Sequence, residues 1–364
     1  MTNPSVTDSL PVTLLTGFLG SGKTTLLRRA LAAPEFSDTA VIINEIGEIA
    51  IDHYLVDFVE GQVLELPGGC LCCAVREDLA KTLRDLIDKR DAGEVRAFGR
   101  IVVETSGLAD PAPILFTLGT DPMLDQRLRL ARVVTLVDAV TGAESLQRFS
   151  EAARQAAVAD ALVISKTDLA PLSVKLAARL DTLNPAAERI VGAAATEPAT
   201  VLFGHHPRHP RESGGPGATE TTVALVSRFR GNDGLELSDV AAHTHGIDTF
   251  TIILDGAIGR LDFARALGGL AQDRGNDLLR VKGLVRFADR PDRPAVVQAA
   301  QHAMFTPEWL DAWPDEDTRS RLVFIVHDIP AEEILARFAF AKPFLLHHKG
   351  PGEDRNPFLH AHAS

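Results

Sequence analysis

The clearest chemistry in the chain lies in one short run, Gly17-Phe18-Leu19-Gly20-Ser21-Gly22-Lys23-Thr24. It fits the G-x-x-x-x-G-K-[ST] spacing of a phosphate-binding loop, and its context fits too. The apolar stretch Pro11 to Thr16 reads as a buried strand, and Thr25 to Leu31 reads as a helix that stops before Pro34. Gly17, Gly20 and Gly22 permit backbone angles that turn successive N–H groups toward an anion. The positive end of the following helix adds to the attraction. Lys23 can reach the terminal phosphates, and the Thr24 hydroxyl is placed to sit on Mg²⁺. The run predicts a nucleoside triphosphate site with Gly17, Gly20, Ser21, Gly22, Lys23, Thr24 and Thr25 around the phosphates.

Ser165-Lys166-Thr167-Asp168 chooses among nucleotides. It ends an apolar strand and fits the [N/T/S]-K-x-D pattern of GTPases. A carboxylate at Asp168 can accept from both the ring N–H and the exocyclic amine of guanine, a donor pair that adenine lacks. The Lys166 stem can pack along the base. Ser165 stands where Asn is usual. Glu104 and Gly107 follow another apolar strand, where P-loop enzymes carry an Mg²⁺-linked acid and a glycine N–H for the γ-phosphate. A carboxylate that merely caps the helix at Pro111 is the competing reading of Glu104. Asn44 to Glu48 occupies the place of a first switch loop, with Glu45 and Glu48 as candidates to orient water. The predicted catalytic set is Lys23, Thr24, Glu104 and Glu45.

The three cysteines of the chain, Cys70, Cys72 and Cys73, fall within four residues. They are too close together to staple distant parts of the fold. Clustered thiolates suit Zn²⁺ or Co²⁺, and three leave a fourth corner open for capture and release. The helix expected from Val75 would lower their pKa by its amino terminus. A vicinal redox switch is the competing reading.

Short apolar strands at 39–43, 63–66, 100–103, 133–138 and 161–164 alternate with helical stretches at 75–89, 152–158 and 174–183. That alternation predicts an α/β fold, a P-loop domain with a mostly parallel sheet covered on both faces. Ligands then bind at the carboxyl ends of strands, where all the motifs above fall. Expected boundaries are 1–203 for this domain, 204–242 for a Gly/Pro-rich linker and 243–345 for a smaller α+β domain. A mobile tail over 346–364 is expected to close the chain. The linker text resembles translated bacterial palindromic repeats and reads as an insertion without chemistry, although His205, His206 and His209 could bind metal. In the second domain, strands are expected at 249–254, 279–287, 295–303 and 322–326, with helices at 263–270 and 331–340.

The 364 residues carry a formal net charge of −12, which argues against nucleic acid as the partner. Hydrophobic residues make up 45% and charged residues 24%, ordinary for a soluble globular chain. No apolar run approaches the ~18–20 residues of a membrane span, and no export signal opens the chain, so a cytoplasmic protein is expected.

Together, G-F-L-G-S-G-K-T-T-L-L, N-E-I-G-E-I-A-I-D, G-G-C-L-C-C, E-T-S-G-L-A-D-P and S-K-T-D-L resemble the CobW family of P-loop GTPases. These are relatives of the HypB and UreG metal-insertion GTPases. H-T-H-G-I, R-V-K-G-L-V-R-F and W-P extend the resemblance into the second domain. The resemblance implies GTP and Mg²⁺ at Gly17 to Thr25, an acidic switch residue at Glu104, and guanine contacts at Lys166 and Asp168. It also implies Zn²⁺ or Co²⁺ on Cys70, Cys72 and Cys73, delivered to a client metalloprotein or to cobalamin synthesis, with room for a homodimer. His243 and His245 match the H-x-H of the family, for metal or for structure. Gly69 stands where many members have Asn, and the usual His/acid-rich connection is replaced. A P-loop kinase or transferase, and a redox-regulated interaction module, are the rival readings.

Overall fold

The computed structural model describes residues 9–44, 63–65, 74–192, 197–204 and 244–346. Two sheets organise them. The first is built on β1 (Leu10–Gly17), buried on both faces, with Val12 and Leu14 in one layer and Leu15 in the other. β2 (Thr39–Asn44), β3 (Val63–Glu65), β4 (Arg100–Thr105), β5 (Leu128–Asp138), β6 (Ala161–Ser165) and β7 (Glu188–Val191) complete it. The order is β3-β2-β4-β1-β5-β6-β7, and every pairing is parallel.

Eight helices among the described residues cover this sheet: α1 (Lys23–Leu31), α2 (Ala74–Asp91), α3 (Ala112–Thr120), α4 (Pro122–Arg127), α5 (Gly142–Arg148), α6 (Ser150–Ala157), α7 (Val174–Leu183) and α8 (Pro198–Phe203). Leu26 and Leu27 of α1 join Val201 and Leu202 of α8 beneath Leu15. Leu79, Leu83 and Leu86 of α2 are buried on the opposite face, as their spacing predicts. α3 was not legible from periodicity. Ala112, Ile114, Leu115 and Leu118 are all buried, because this helix meets the first sheet on one side and the second on the other, so it has no polar face.

The second sheet is antiparallel. β8 (Ile247–Leu254) leads to α9 (Arg260–Arg274), then β9 (Leu278–Val285), β10 (Ala295–Ala300), β11 (Ala303–Met304), β12 (Glu308–Trp309) and β13 (Ser320–His327). α10 (Ala331–Arg337) and β14 (Pro343–Leu346) follow. Two expectations shift here. The strand foreseen over 295–303 breaks at Gln301, which has φ 52°. The closing helix ends at Arg337 and passes into a 3₁₀ turn over Ala339–Ala341. Pro343–Leu346, at the boundary expected between the second domain and the tail, pairs with β8 as an edge strand.

β13 explains how the sheets meet. Leu322, Phe324 and Val326 pack under α9 and α10 with Phe263, Phe287 and Phe338, while Val323 and Ile325 turn to the first domain. Period-two alternation thus buries both faces of an antiparallel strand. At this junction lies an ionic cluster. Asp160, just before β6, accepts from Arg280 Nη2 at 3.1 and 3.2 Å and from Lys282 Nζ at 2.9 Å. It also accepts from the Val133 N–H of β5 at 2.8 Å, and Arg280 Nη2 donates to Gln298 at 2.7 Å.

Candidate functional site

In-register pairing sets the candidate residues along one edge. Glu104 of β4 aligns with Leu15 of β1 and Ile43 of β2, Gly17 with Leu136 of β5, and Asp138 with Ser165 of β6. All of these are carboxyl ends of parallel strands, the edge at which such sheets take ligands.

The loop from β1 into α1 passes Gly17, Gly20 and Gly22 at φ 144°, 70° and 97°, values that side chains with a Cβ rarely adopt. Gly22 caps α1, whose first turn has no side-chain cap and no acidic residue. The helix amino terminus therefore faces the loop with its N–H groups and partial positive charge. Lys23 Nζ folds back to donate to the carbonyls of Gly17 at 2.8 Å and Phe18 at 3.5 Å. Ser21 is buried, whereas Gly20 and Thr25 are exposed.

Beside the loop, the Thr24 hydroxyl donates to Glu104 Oε1 at 3.0 Å, and Glu104 is only 4% exposed. A hydroxyl and a carboxylate in contact make an all-oxygen donor set, which suits a hard cation such as Mg²⁺ rather than a soft one. The chain after β4 lies directly on the phosphate loop, since a Cβ at Gly107 would sit 2.8 Å from both N and Cα of Leu19. Gln155 of α6, fully buried, donates from Nε2 to the carbonyls of Gly107 at 3.2 Å and Ala109 at 2.9 Å. One residue earlier, Arg154 pairs with Asp110 at 3.3 Å. Phe149 stacks on Phe18 of the loop with centroids 4.7 Å apart.

On the other side, Ser165 Oγ donates to the Ser21 carbonyl at 2.6 Å. The serine found in place of the usual Asn therefore ties the S-K-x-D turn to the phosphate loop. Lys166 is left-handed at φ 56°, and its Nζ donates to Asp138 Oδ2 at 2.5 Å. Asp168, two residues on, is exposed. Asp138 also accepts from the Val140 N–H at 2.7 Å, the Thr141 N–H at 3.4 Å and the Thr141 hydroxyl at 3.2 Å. Burial alone would raise its pKa, but the Lys166 ammonium and these backbone N–H groups hold it below the usual carboxylate value. Sequence reasoning missed Asp138 and Gln155. Asp138 carries the signal that marked Glu104, a charge directly after a buried run; Gln155 sits inside an Ala-rich helix and gives none.

Cys70, Cys72, Cys73, Glu45, Glu48, His205, His206, His209 and His243 lie outside the described residues. His245, at the entry to the second domain, engages the Leu146 carbonyl of α5 through Nε2 at 3.2 Å. Among the described residues no cluster of three or more His, Cys, Asp or Glu is arranged to hold a metal. No described helix is long and apolar enough to cross a membrane.

Residues 11–191 match the family described as CobW/HypB/UreG, nucleotide-binding domain, and residues 247–342 match the cobalamin synthesis protein cobW C-terminal domain. The chain belongs to the CobW family of P-loop GTPases. Among its relatives, the zinc chaperone YjiA of Escherichia coli is 34% identical over 332 residues, covering 91% of this chain and 98% of that one. The zinc chaperone CobW of Pseudomonas aeruginosa is 31% identical over 360 residues, with 88% of each chain covered. The crystal structure of Zn(II)-bound YjiA GTPase from E. coli superposes with a TM-score of 0.62 at 29% identity, covering 92% of this chain and 99% of that one. Both CobW domains and their order are thus shared across nearly the whole length.

Proposed function

We propose that this CobW protein is a GTP-dependent metallochaperone: it takes Zn²⁺, or the chemically similar Co²⁺, as cargo and releases it under control of GTP hydrolysis. The observation that carries the nucleotide half is the alignment of three parts on one sheet edge: the glycine loop with Lys23, the 3.0 Å Thr24–Glu104 contact, and the Ser165–Lys166 turn bonded to both Ser21 and Asp138. In this reading the loop N–H groups and Lys23 hold the β- and γ-phosphates, while Lys166 and Asp168 take guanine. Thr24 and Glu104 would hold Mg²⁺, which neutralises phosphate charge when bound. Hydrolysis adds water across the γ-phosphoryl bond to give GDP and inorganic phosphate. The Gly107 N–H meets the γ-phosphate, so its loss frees the chain after β4.

Support for the cargo half comes from the relatives that are named zinc chaperones. Cys70, Cys72 and Cys73 fall in the chain between β3, which ends at Glu65 on the same sheet edge, and α2. Three thiolates are soft donors matched to Zn²⁺. The recipient is a client metalloprotein or the cobalamin pathway, in a cytoplasmic setting, and the chain can act alone or as a homodimer.

Guanine selection is tested at Asp168. In Asp168→Asn the carboxylate that would pair with two guanine donors becomes an amide. GTP affinity is expected to fall by about 10²-fold, since a charge-assisted pair is worth roughly 3 kcal/mol. Affinity for xanthosine triphosphate, which offers a carbonyl where guanine has its amine, is expected to rise. Nucleotide titration reads both, and an unchanged GTP affinity would remove Asp168 from the site.

A further inference from the structure

Asp138 belongs to none of the motifs, yet it has the densest set of contacts on the nucleotide edge. It ends β5 in register with Ser165, is buried, and anchors three partners at once: Lys166 Nζ, the Val140 N–H and Thr141. Its partner Lys166 is the one residue of the S-K-x-D turn forced into the left-handed region. A non-glycine residue there costs about 1 kcal/mol and persists only where its surroundings hold it. The lysine is held at both ends. Its backbone carbonyl accepts from Leu169 at 3.0 Å and Ala170 at 3.2 Å, and its ammonium is fixed on Asp138. A lysine stem pinned at head and tail is a rigid strip of methylenes; a lysine without Asp138 samples many rotamers.

We propose that Asp138 is a positioning residue for base selection: by fixing Lys166 it presets the apolar wall against which guanine packs, with Asp168 at the guanine edge. This rests on the GTPase reading above and adds to it a residue outside the S-K-x-D turn. Because Asp138 acts on the base and not on the phosphates, its effect is common to GTP and GDP and absent from a ligand without a base.

The test uses the full chain and four ligands: GTP, GDP, ATP and inorganic triphosphate. Asp138→Asn preserves an oxygen for the Val140 and Thr141 N–H groups but removes the charge facing Lys166. It is expected to weaken GTP and GDP equally, by about tenfold, or about 1.4 kcal/mol, with inorganic triphosphate unchanged. Lys166→Met should produce the same pattern, and the double variant should lose little more than either single one. Asp138→Glu, which retains the charge, should recover part of the loss. Equal weakening of inorganic triphosphate would overturn the proposal and leave Asp138 a structural cap. Additive losses in the double variant would overturn it as well. A wild-type preference for ATP over GTP would instead defeat the GTPase reading itself.

Discussion

Replacing Lys23 with alanine is expected to lower GTP affinity by about 10²–10⁴-fold and to abolish measurable hydrolysis. An ammonium donating to phosphate oxygens contributes roughly 1.5–3 kcal/mol per charge-assisted bond, and Lys23 is positioned for two. The side chain does not have to be recruited from solvent. It is buried, with Nζ 2.8 Å from the Gly17 carbonyl and 3.5 Å from that of Phe18. Nucleotide binding exchanges those carbonyls for phosphate oxygens, so the lysine enters the bound state already oriented. The loss should be larger for GTP than for GDP, because the γ-phosphate contributes one of the two partners. Titration of Lys23→Ala and Lys23→Met with both nucleotides measures this. Equal losses for GDP and GTP would mean that the residue serves only to shape the loop.

Asp160→Asn is expected to cost about 3–5 kcal/mol of stability, because it strands the buried Arg280 and the half-buried Lys282. Arg280 and Asp160 are 3% and 5% exposed, so solvent screens the pair little. Burial pushes the Asp160 pKa up, but Arg280 and Lys282 outweigh it and hold the carboxyl far below its ordinary value. The sign follows from linkage. A depressed folded-state pKa contributes stability above the unfolded value of about 3.9 and loses it as pH falls further. Wild-type chain should therefore lose stability from about pH 4 downward more steeply than Asp160→Asn, which has no carboxyl to protonate. A triple change of Asp160, Arg280 and Lys282 to apolar residues of similar size should be far milder than the single change. Thermal and urea unfolding across pH 3–7 read all three. A mild Asp160→Asn paired with a severe triple variant would contradict the stranded-charge explanation of the cluster.

The contrast between these two residues marks what a sequence can disclose. The Lys23 loop was legible because strand, glycines and helix are adjacent in the chain, and local spacing implies local geometry. Glu104 and the Ser165–Asp168 turn were legible for the same reason, each following an apolar run that could only be a buried strand. Asp160 gave no sign, since its partner Arg280 lies 120 residues away and both look like ordinary surface charges. The start of α3 was legible at Pro111, but its extent was hidden by its own burial. β14 was hidden by pairing with β8 across some ninety residues of chain, which no local pattern records. Asp138 could have been found, because it repeats the Glu104 pattern one strand away. Its purpose needed the Lys166 contact, and that exists only once β5 and β6 are laid side by side.

The central claim is that the nucleotide controls the cargo ion. It predicts tighter Zn²⁺ binding with a non-hydrolysable GTP analogue than with GDP and, by linkage, tighter binding of that analogue when Zn²⁺ is present. The most direct measurement is competitive Zn²⁺ titration of the full chain in each nucleotide state, repeated on the Cys70→Ser, Cys72→Ser, Cys73→Ser triple variant. At least about a fivefold difference between the two states, the lower end of ordinary allosteric coupling, is expected, and its loss in the triple variant. Equal Zn²⁺ affinity with GTP analogue and GDP, or a nucleotide effect that survives removal of the three thiols, would contradict it.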